Sequence, residues 1–433
     1  MDRLTRPFMR FLRIEAMAGA VLLLSTLLAL ALANSPWSTS FLALWDVHAA
    51  INLGDIAISR SLKHWINDGL MTFFFFVIAL ELKRELALGE LRDPRVAALP
   101  IAAAIGGMVA PIGLFLLIAG GGPGANGWGA VMSTDTAFVV GCLAVLGSRI
   151  PQTLRLFLLS LAIFDDVGAI LVVALSYGDA FNGFALGAAG LGLASIVGIS
   201  RLGVRNMPIY FALGGGVWLA LDGSGIHPTL TGVLLGLMAP ARSWVSDNRL
   251  HAILDKIVAY PPGDHWSGDS AAREDLHRAG VATREALSPI ERLEMALHPW
   301  VAFGVLPLFA LANAGVPIAG AKFDPALTTA IFAAFVAGKP VGVVLFSFLA
   351  VKSRLAIRPR ELSWGLLAAG GLLTGIGFTM ALFISDLAFG AELLNSVKLG
   401  VLCASAISAV LGLLMLAWLS SAGRGARLAG GGR

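Results

Sequence analysis

Apolar stretches of about 20 residues recur along this chain, each long enough to cross the hydrocarbon core of a bilayer as a helix. They fall at 14–33, 65–86, 97–119, 126–147, 154–176, 182–200, 207–221, 227–240, 291–314, 326–350, 361–387 and 396–420. The count is about twelve, and the short seventh and eighth also read as one folded-back pair. The pattern predicts an all-α polytopic membrane protein with a single transmembrane domain over 1–420 and a disordered cytoplasmic tail over 421–433. The first stretch also has the layout of a secretory signal, with a basic lead, an apolar centre and Ala-Leu-Ala before Asn34. The many spans that follow favour an uncleaved first helix.

Two interruptions of the pattern are informative. Between the first two spans, in the loop 44–62, Ile51, Leu53, Ile56 and Ile58 alternate around Gly54-Asp55, a hairpin signal. A lone hairpin leaves open edges, which suits pairing with a second copy of the chain; an ordered surface loop fits the same residues. The segment 241–290 is too polar to span and is expected to be a long, partly disordered cytoplasmic loop, with His251, His265 and His277 as solvated residues.

Charge then gives orientation. Lys and Arg crowd one set of loops, including Lys83, Arg84, Arg92 and Arg95, then Arg149 and Arg155, then Lys352, Arg354, Arg358 and Arg360. The alternate loops carry few, among them Arg60, Lys63, Lys322 and Lys398. By the positive-inside rule both termini are cytoplasmic. The chain is 57% hydrophobic and 13% charged, and its net charge of +4 sits in these short loops, so nucleic acid is not an expected partner. Cys142 and Cys403 lie in apolar spans and suggest neither a disulfide nor a metal site.

Within the spans, polar groups enter at similar depth. Asp165 and Asp166 interrupt the fifth, roughly 17 Å from its start. Ionisable groups there cost several kcal/mol and usually serve ions or protons. The fourth span carries Ser133-Thr134-Asp135-Thr136, whose side chains compete for backbone hydrogen bonds and mark a candidate unwound segment. Lys339, followed by Pro340, lies halfway along the tenth span. Gly375 and Gly377 mark a candidate break in the eleventh. Loop counting makes spans 3–5 and 10–12 inverted repeats, each with an interrupted middle helix, an arrangement that points to a transport site at the midplane.

The chemistry follows from the residue types. A carboxylate in a low-dielectric cavity holds a proton near neutral pH and yields it to a hard cation that prefers oxygen ligands. Competition of H⁺ and Na⁺ for one site, opened alternately to each side, gives exchange. Adjacent helical residues project about 100° apart, so Asp165 and Asp166 need not serve the same ion. An intramembrane aspartyl protease needs two facing carboxylates from different helices, which adjacent ones do not supply. A channel does not explain inverted broken helices. A symporter for another solute is disfavoured by the lack of aromatic or Arg residues near these motifs.

The segments HWINDGLMTFFFFVIALELKRE, VMSTDTAF, SLAIFDDVGAI, SGIHPTLTGVLLG, RLEMALHPWVAFGVLPLFALANAG, GKPVG and GIGFTMALFI resemble those of the bacterial NhaA-type Na⁺/H⁺ antiporters. The likeness runs from about residue 13 to 418. It implies a multi-pass protein of the bacterial inner membrane with two crossed, interrupted helices (spans 4 and 11). Its activity would be an electrogenic, pH-regulated export of Na⁺ or Li⁺ for entering protons, with no cofactor and no enzymatic reaction. By motif, Asp165 and Asp166 would carry the cation (Na⁺ or Li⁺) and protons, with Asp166 the direct ligand. Thr134 and Asp135 would sit at the crossing, Asp135 offsetting helix N-termini, and Lys339 would offset C-termini or pair with Asp165. Glu81, Arg84, Glu85, Glu294 and His298 match a cytoplasmic pH-activation cluster, and His227 matches a histidine of the pH response, although the loop pattern places it outside. Asp68 matches too, also toward the outside. The hairpin at 51–60 matches a homodimer contact. The 241–290 loop looks longer than in the best-known members, a departure that bears on the pH threshold and not on the ion site.

Overall fold

The structure, a computed structural model, describes residues 2–53, 56–87, 89, 93–122, 124–176, 182–202, 207–241, 247–259, 270–318 and 323–430. Each of the twelve apolar stretches forms helix. Among the described residues nine helices are long and apolar enough to cross a membrane, and the bent pair Trp364–Thr374 and Phe378–Ala388 adds a tenth if it is one span. The remaining two are short: α9 (Met207–Asp222) has 16 residues and α10 (Leu230–Met238) only 9, about 14 Å at 1.5 Å per residue. The surface carries large exposed apolar side chains, Leu117, Val145, Phe184 and Leu191 among them, as a lipid-facing surface does and a water-facing one rarely does.

The chain opens with α1 (Asp2–Ala33) and α2 (Ser38–Trp45), then strands β1 (His48–Leu53) and β2 (Ile56–Ser61). The strands pair antiparallel in the register Leu53↔Ile56 to His48↔Ser61. Residues 54–55 of the expected turn lie outside the described residues. Ser61 then caps α3 (Leu62–Ala87) by accepting the His64 N–H. After α4 (Pro94–Ala119) come α5 (Ala125–Val131) and α6 (Thr136–Leu146), separated by a break, and then α7 (Gln152–Ser176) and α8 (Gly183–Arg201).

The polar segment after α10 is helical in part. It holds two helices, α11 (Asp247–Val258) and α12 (Ser270–Ala286), joined by a Lys256–Asp275 ion pair at 2.9 Å. Low hydropathy excludes a span but not an amphipathic helix, and Ala279 and Ala282 of α12 are buried. Residues 242–246 and 260–269, including His265, lie outside the described residues. The second half consists of α13 (Pro289–Asn313), α14 (Pro325–Lys352), α15 (Trp364–Thr374), α16 (Phe378–Ala388) and α17 (Ala391–Gly430). Helical backbone in α17 thus continues into the segment expected as a disordered tail, residues 431–433 lying outside the described ones.

Three spans contain a widened π-helical turn: Trp65–Leu70 in α3, Val301–Val305 in α13 and Ala334–Gly338 in α14. The last two are followed within two residues by Pro307 and Pro340. Proline cannot donate to the carbonyl four residues back, and the widened turn is one way a helix adapts. Lys339 sits just where α14 returns to regular geometry.

Close helix contact positions that lysine. A Cβ built on Gly342 would strike the Gly106 carbonyl oxygen of α4, and one on Gly106 would strike that of Gly342. A Cβ on Gly338 would press on the Pro111 backbone. Small residues let two membrane helices approach to backbone contact. Gly342→Val is therefore expected to lower stability in detergent by about 1–3 kcal/mol, read from thermal unfolding. Gly187→Ala on α8, where a Cβ meets open space, serves as the unchanged control. Equal melting of the two variants would contradict this packing.

Candidate functional site

The two helix breaks meet. The chain leaves helical geometry at 133–135 between α5 and α6, and again at 376–377 between α15 and α16, where the axis bends by 45°. The Asp135 N–H donates to the Ile376 carbonyl at 2.6 Å. Thr134 Oγ lies 3.1 Å from the Thr374 carbonyl oxygen, which can accept its proton. Gly375 and Gly377 both have negative φ, so the demand on them is space. A Cβ on Gly375 would meet the Phe335 carbonyl oxygen, and one on Gly377 the Phe335 ring.

Asp135 ties the breaks together. It is the N-cap of α6, its Oδ1 accepting the Phe138 N–H at 3.1 Å. Its Oδ2 accepts both the Thr379 N–H at 2.9 Å and the Thr379 hydroxyl at 2.5 Å, in the first turn of α16. One buried carboxylate thus faces two helix N-termini, the positive ends of two backbone dipoles.

Lys339, fully buried, donates to Asp165 Oδ2 at 2.6 Å and to Thr134 Oγ at 2.5 Å. Thr134 Oγ is also 2.5 Å from Asp165 Oδ2. Ammonium, hydroxyl and carboxylate form a closed triangle linking α14, the first break and α7. Asp166, one residue on, serves a different face. It lines a cavity of about 80 Å³ together with Glu81, Asp135, Thr136 and His298, while Asp165 does not. The Thr136 hydroxyl lies 3.4 Å from Asp166 Oδ2. Oδ1 of Asp165 and Oδ1 of Asp166 are buried without a hydrogen-bond partner among the described residues.

Of the residues predicted from sequence, Thr134, Asp135, Asp165, Asp166, Lys339, Gly375 and Gly377 come together here. Of the residues predicted as a pH cluster, Glu81 and His298 line the same cavity, and Arg84, one helical turn beyond Glu81, pairs with Glu85 and Glu294. Arg84 donates to Glu294, and lies 3.1 Å from Glu85 Oε1. Glu81 and His298 line the passage between this cluster and Asp166. His227 lies elsewhere. It sits near Asp68, whose Oδ1 is 3.7 Å from its Nε2. Asp68 and Glu81 are thirteen residues apart on α3, about 20 Å.

Three features were not singled out from sequence. Thr379 holds Asp135, and its place directly after the Gly-Ile-Gly-Phe break was the available signal. Thr136 faces Asp166 from the hydroxyl-rich run. A polar seal joins α3, α13 and α16 at the Asp68 end: Lys63 pairs with Asp386, Asn67 donates to Asp386 Oδ2 at 2.9 Å, and Asn67 and Asn313 exchange amide hydrogen bonds at 2.7 and 3.3 Å. Its members are far apart in sequence, so no local pattern announces it.

The site therefore holds three buried carboxylates and one ammonium, Asp135, Asp165 and Asp166 against Lys339. Each buried charge costs several kcal/mol unless paired. Asp135 is offset by helix ends and Asp165 by Lys339; Asp166 faces the cavity without either kind of offset. Hydroxyl and carboxylate oxygens are the donor set that hard cations prefer, and the same carboxylates accept protons.

The chain matches the family model described as Na⁺/H⁺ antiporter 1 over residues 9–416. It is 72% identical to the Na⁺/H⁺ antiporter NhaA of Rhizobium meliloti (strain 1021), covering 98% of this chain and 97% of that protein. It is 57% identical to Na⁺/H⁺ antiporter NhaA 2 of Acidiphilium cryptum (strain JF-5), covering 96% and 92%. Against Na⁺/H⁺ antiporter NhaA 2 of Vibrio vulnificus (strain CMCP6) the identity is 51%, covering 97% and 94%. The match spans both helix breaks, both neighbouring aspartates and the buried lysine, and the chain belongs to the NhaA-type Na⁺/H⁺ antiporter family, whose members are transporters and not enzymes.

Proposed function

We propose that this protein is an electrogenic Na⁺(Li⁺)/H⁺ antiporter that exports Na⁺ from the cytoplasm in exchange for entering protons, by alternating access to Asp166 and Asp165. The observation that carries the reading is the split between the two carboxylates: Asp166 on the cavity, Asp165 sealed against Lys339. A cation arriving along the cavity meets Asp166 first. Its charge weakens the attraction between Lys339 and Asp165, and release of protons from the site makes room for it. With the positive-inside orientation, the Glu81–His298 end of the cavity is cytoplasmic, and the Lys63–Asp386–Asn67–Asn313 seal is the outer closure. The twelve helical segments then read as twelve spans with inverted repeats 3–5 and 10–12, the two broken helices crossing at Asp135.

The remaining expectations fit this frame. Arg84, Glu85 and Glu294, with Glu81 and His298, sit where cytoplasmic pH can govern entry to the cavity. Among the described residues no further strand flanks the β1–β2 hairpin, which suits a homodimer contact through 51–60. The location is the bacterial inner membrane with both termini cytoplasmic. In acid-loaded proteoliposomes, adding Na⁺ outside is expected to raise the internal pH, and a potassium–valinomycin potential should change the rate. Proton movement with no response to Na⁺ or Li⁺ would overturn the proposal.

A further inference from the structure

At the end of α3 opposite Glu81 lies a second cluster that the transport site does not use. His64 and Asp68, one helical turn apart on α3, face Asp222 at the end of α9, and one ligand atom from each lies within 4.8 Å of the others. His64 Nε2 is 3.1 Å from Asp68 Oδ2. From the turn before α10, His227 points its Nε2 at Asp68 Oδ1, 3.7 Å away.

We propose that this cluster is a binding site for a divalent transition metal of the zinc class, with His64, Asp68 and Asp222 as ligands and His227 completing the set. Two imidazoles and two carboxylates suit zinc and its neighbours, and suit Mg²⁺ or Ca²⁺ poorly. Three observations support the assignment beyond residue type. His64 Nε2 is buried without a hydrogen-bond partner despite its closeness to Asp68. Asp68 is more than nine-tenths buried, yet no described lysine or arginine pairs with it; Lys63 turns away to Asp386. His227 Nδ1 lies 2.7 Å from the Thr229 hydroxyl, the outer contact that fixes an imidazole while leaving its other nitrogen to a metal.

The site is also braced and reachable. Trp218 Nε1 donates toward the Asp68 carbonyl at 3.2 Å and the Thr72 hydroxyl at 3.0 Å, and its ring stacks on Trp65, 6.0 Å away. These contacts hold the turn of α3 that presents His64 and Asp68. Asp222 is partly exposed and is now paired with Arg60 at 3.0 Å. Arg60 is itself nearly half exposed, so it can swing into solvent when a metal takes the carboxylate. Tetrahedral ligands at about 2.0–2.2 Å from zinc lie about 3.4 Å apart, so the spread of the His64, Asp68 and Asp222 ligand atoms, all within 4.8 Å, closes with small side-chain rotations, and His227 approaches through its 3.7 Å contact with Asp68. A bound ion would clamp α3 to the α9–α10 turn.

The test uses the full-length, tag-free protein in detergent, titrated with zinc chloride by calorimetry, with thermal unfolding followed in parallel. The expected result is one saturable equivalent and a rise in the unfolding midpoint, both weakened at least about tenfold in His64→Ala and in Asp222→Asn. Unfolding midpoints without zinc show that both variants are folded, since neither side chain lies in the core. X-ray absorption at the zinc edge should report imidazole nitrogen together with oxygen. Absence of a saturable equivalent, or binding unchanged in both variants, overturns the proposal and leaves a histidine–carboxylate charge cluster.

Discussion

Asp166→Asn is expected to abolish Na⁺-driven proton movement while leaving the protein folded. The carboxamide has the same shape and keeps one oxygen for the Thr136 hydroxyl, 3.4 Å away. Its nitrogen takes the place of either Oδ1, which has no partner to lose, or Oδ2. What disappears is the charge: a neutral amide neither exchanges a proton at physiological pH nor offsets the cost of stripping water from a cation. Because Asp166 lines the cavity, no other ionised group of the aspartate pair takes its place; Asp165 is engaged by Lys339 and Thr134. In proteoliposomes the variant should match protein-free vesicles in its response to Na⁺ and Li⁺, with an unfolding midpoint close to the parent. Retained exchange would move the cation site to Asp165 or Asp135.

Much of this site was legible in the chain because membrane depth makes polar residues conspicuous. A lone aspartate on a soluble helix says little, whereas Asp165-Asp166 between Phe164 and Val167 stands in a run, 161–175, whose other residues are all apolar. The first break was legible for a related reason: Ser-Thr-Asp-Thr offers the backbone local hydrogen bonds that compete with a helix, and Asp135 uses that capacity as an N-cap. The pairing of breaks was only half legible. Loop counting brings the two triplets into inverted correspondence, but the bonds from Asp135 to Thr379 join residues 244 positions apart. Nothing local in either segment specifies that partner.

The misses have a common physical origin. Composition identified the 241–290 segment as non-spanning, but hydropathy averages are blind to a polar helix with one buried stripe, and α12, with Asp275, Ala279 and Ala282 buried, is such a helix. The π-helical turns before Pro307 and Pro340 follow from a missing N–H whose effect depends on neighbouring helices, so proline alone marks a perturbation and not its form. The Lys63–Asp386 seal and the His64–Asp68–Asp222 cluster arise between helices, where sequence carries register but not azimuth. Family likeness supplied roles for individual residues, and packing gave them relative positions. Asp165 and Asp166 could not be told apart by burial depth along the helix; they separate because their roughly 100° offset sends one to Lys339 and the other to the cavity.

Lys339→Gln is expected to destabilise the protein by about 3–5 kcal/mol at neutral pH, because it leaves the fully buried Asp165 without its countercharge. The loss should shrink as the medium is acidified and Asp165 becomes protonated. Adding Asp165→Asn should return most of the stability, since two neutral amides can share the Thr134 hydroxyl that now lies 2.5 Å from both charged partners. A double-mutant cycle on thermal unfolding in detergent measures this directly: restored stability gives a large coupling energy, whereas additive losses would mean that Lys339 serves mainly the carbonyl ends of the broken helices. The same pair of variants separates structure from transport. The ion pair is sealed from the cavity, so a cation can reach Asp165 only after Lys339 lets go. A double variant that is stable yet exchanges no protons for Na⁺ would place the lysine–aspartate contact inside the transport cycle, and one that is stable and active would confine it to holding α14 against α7.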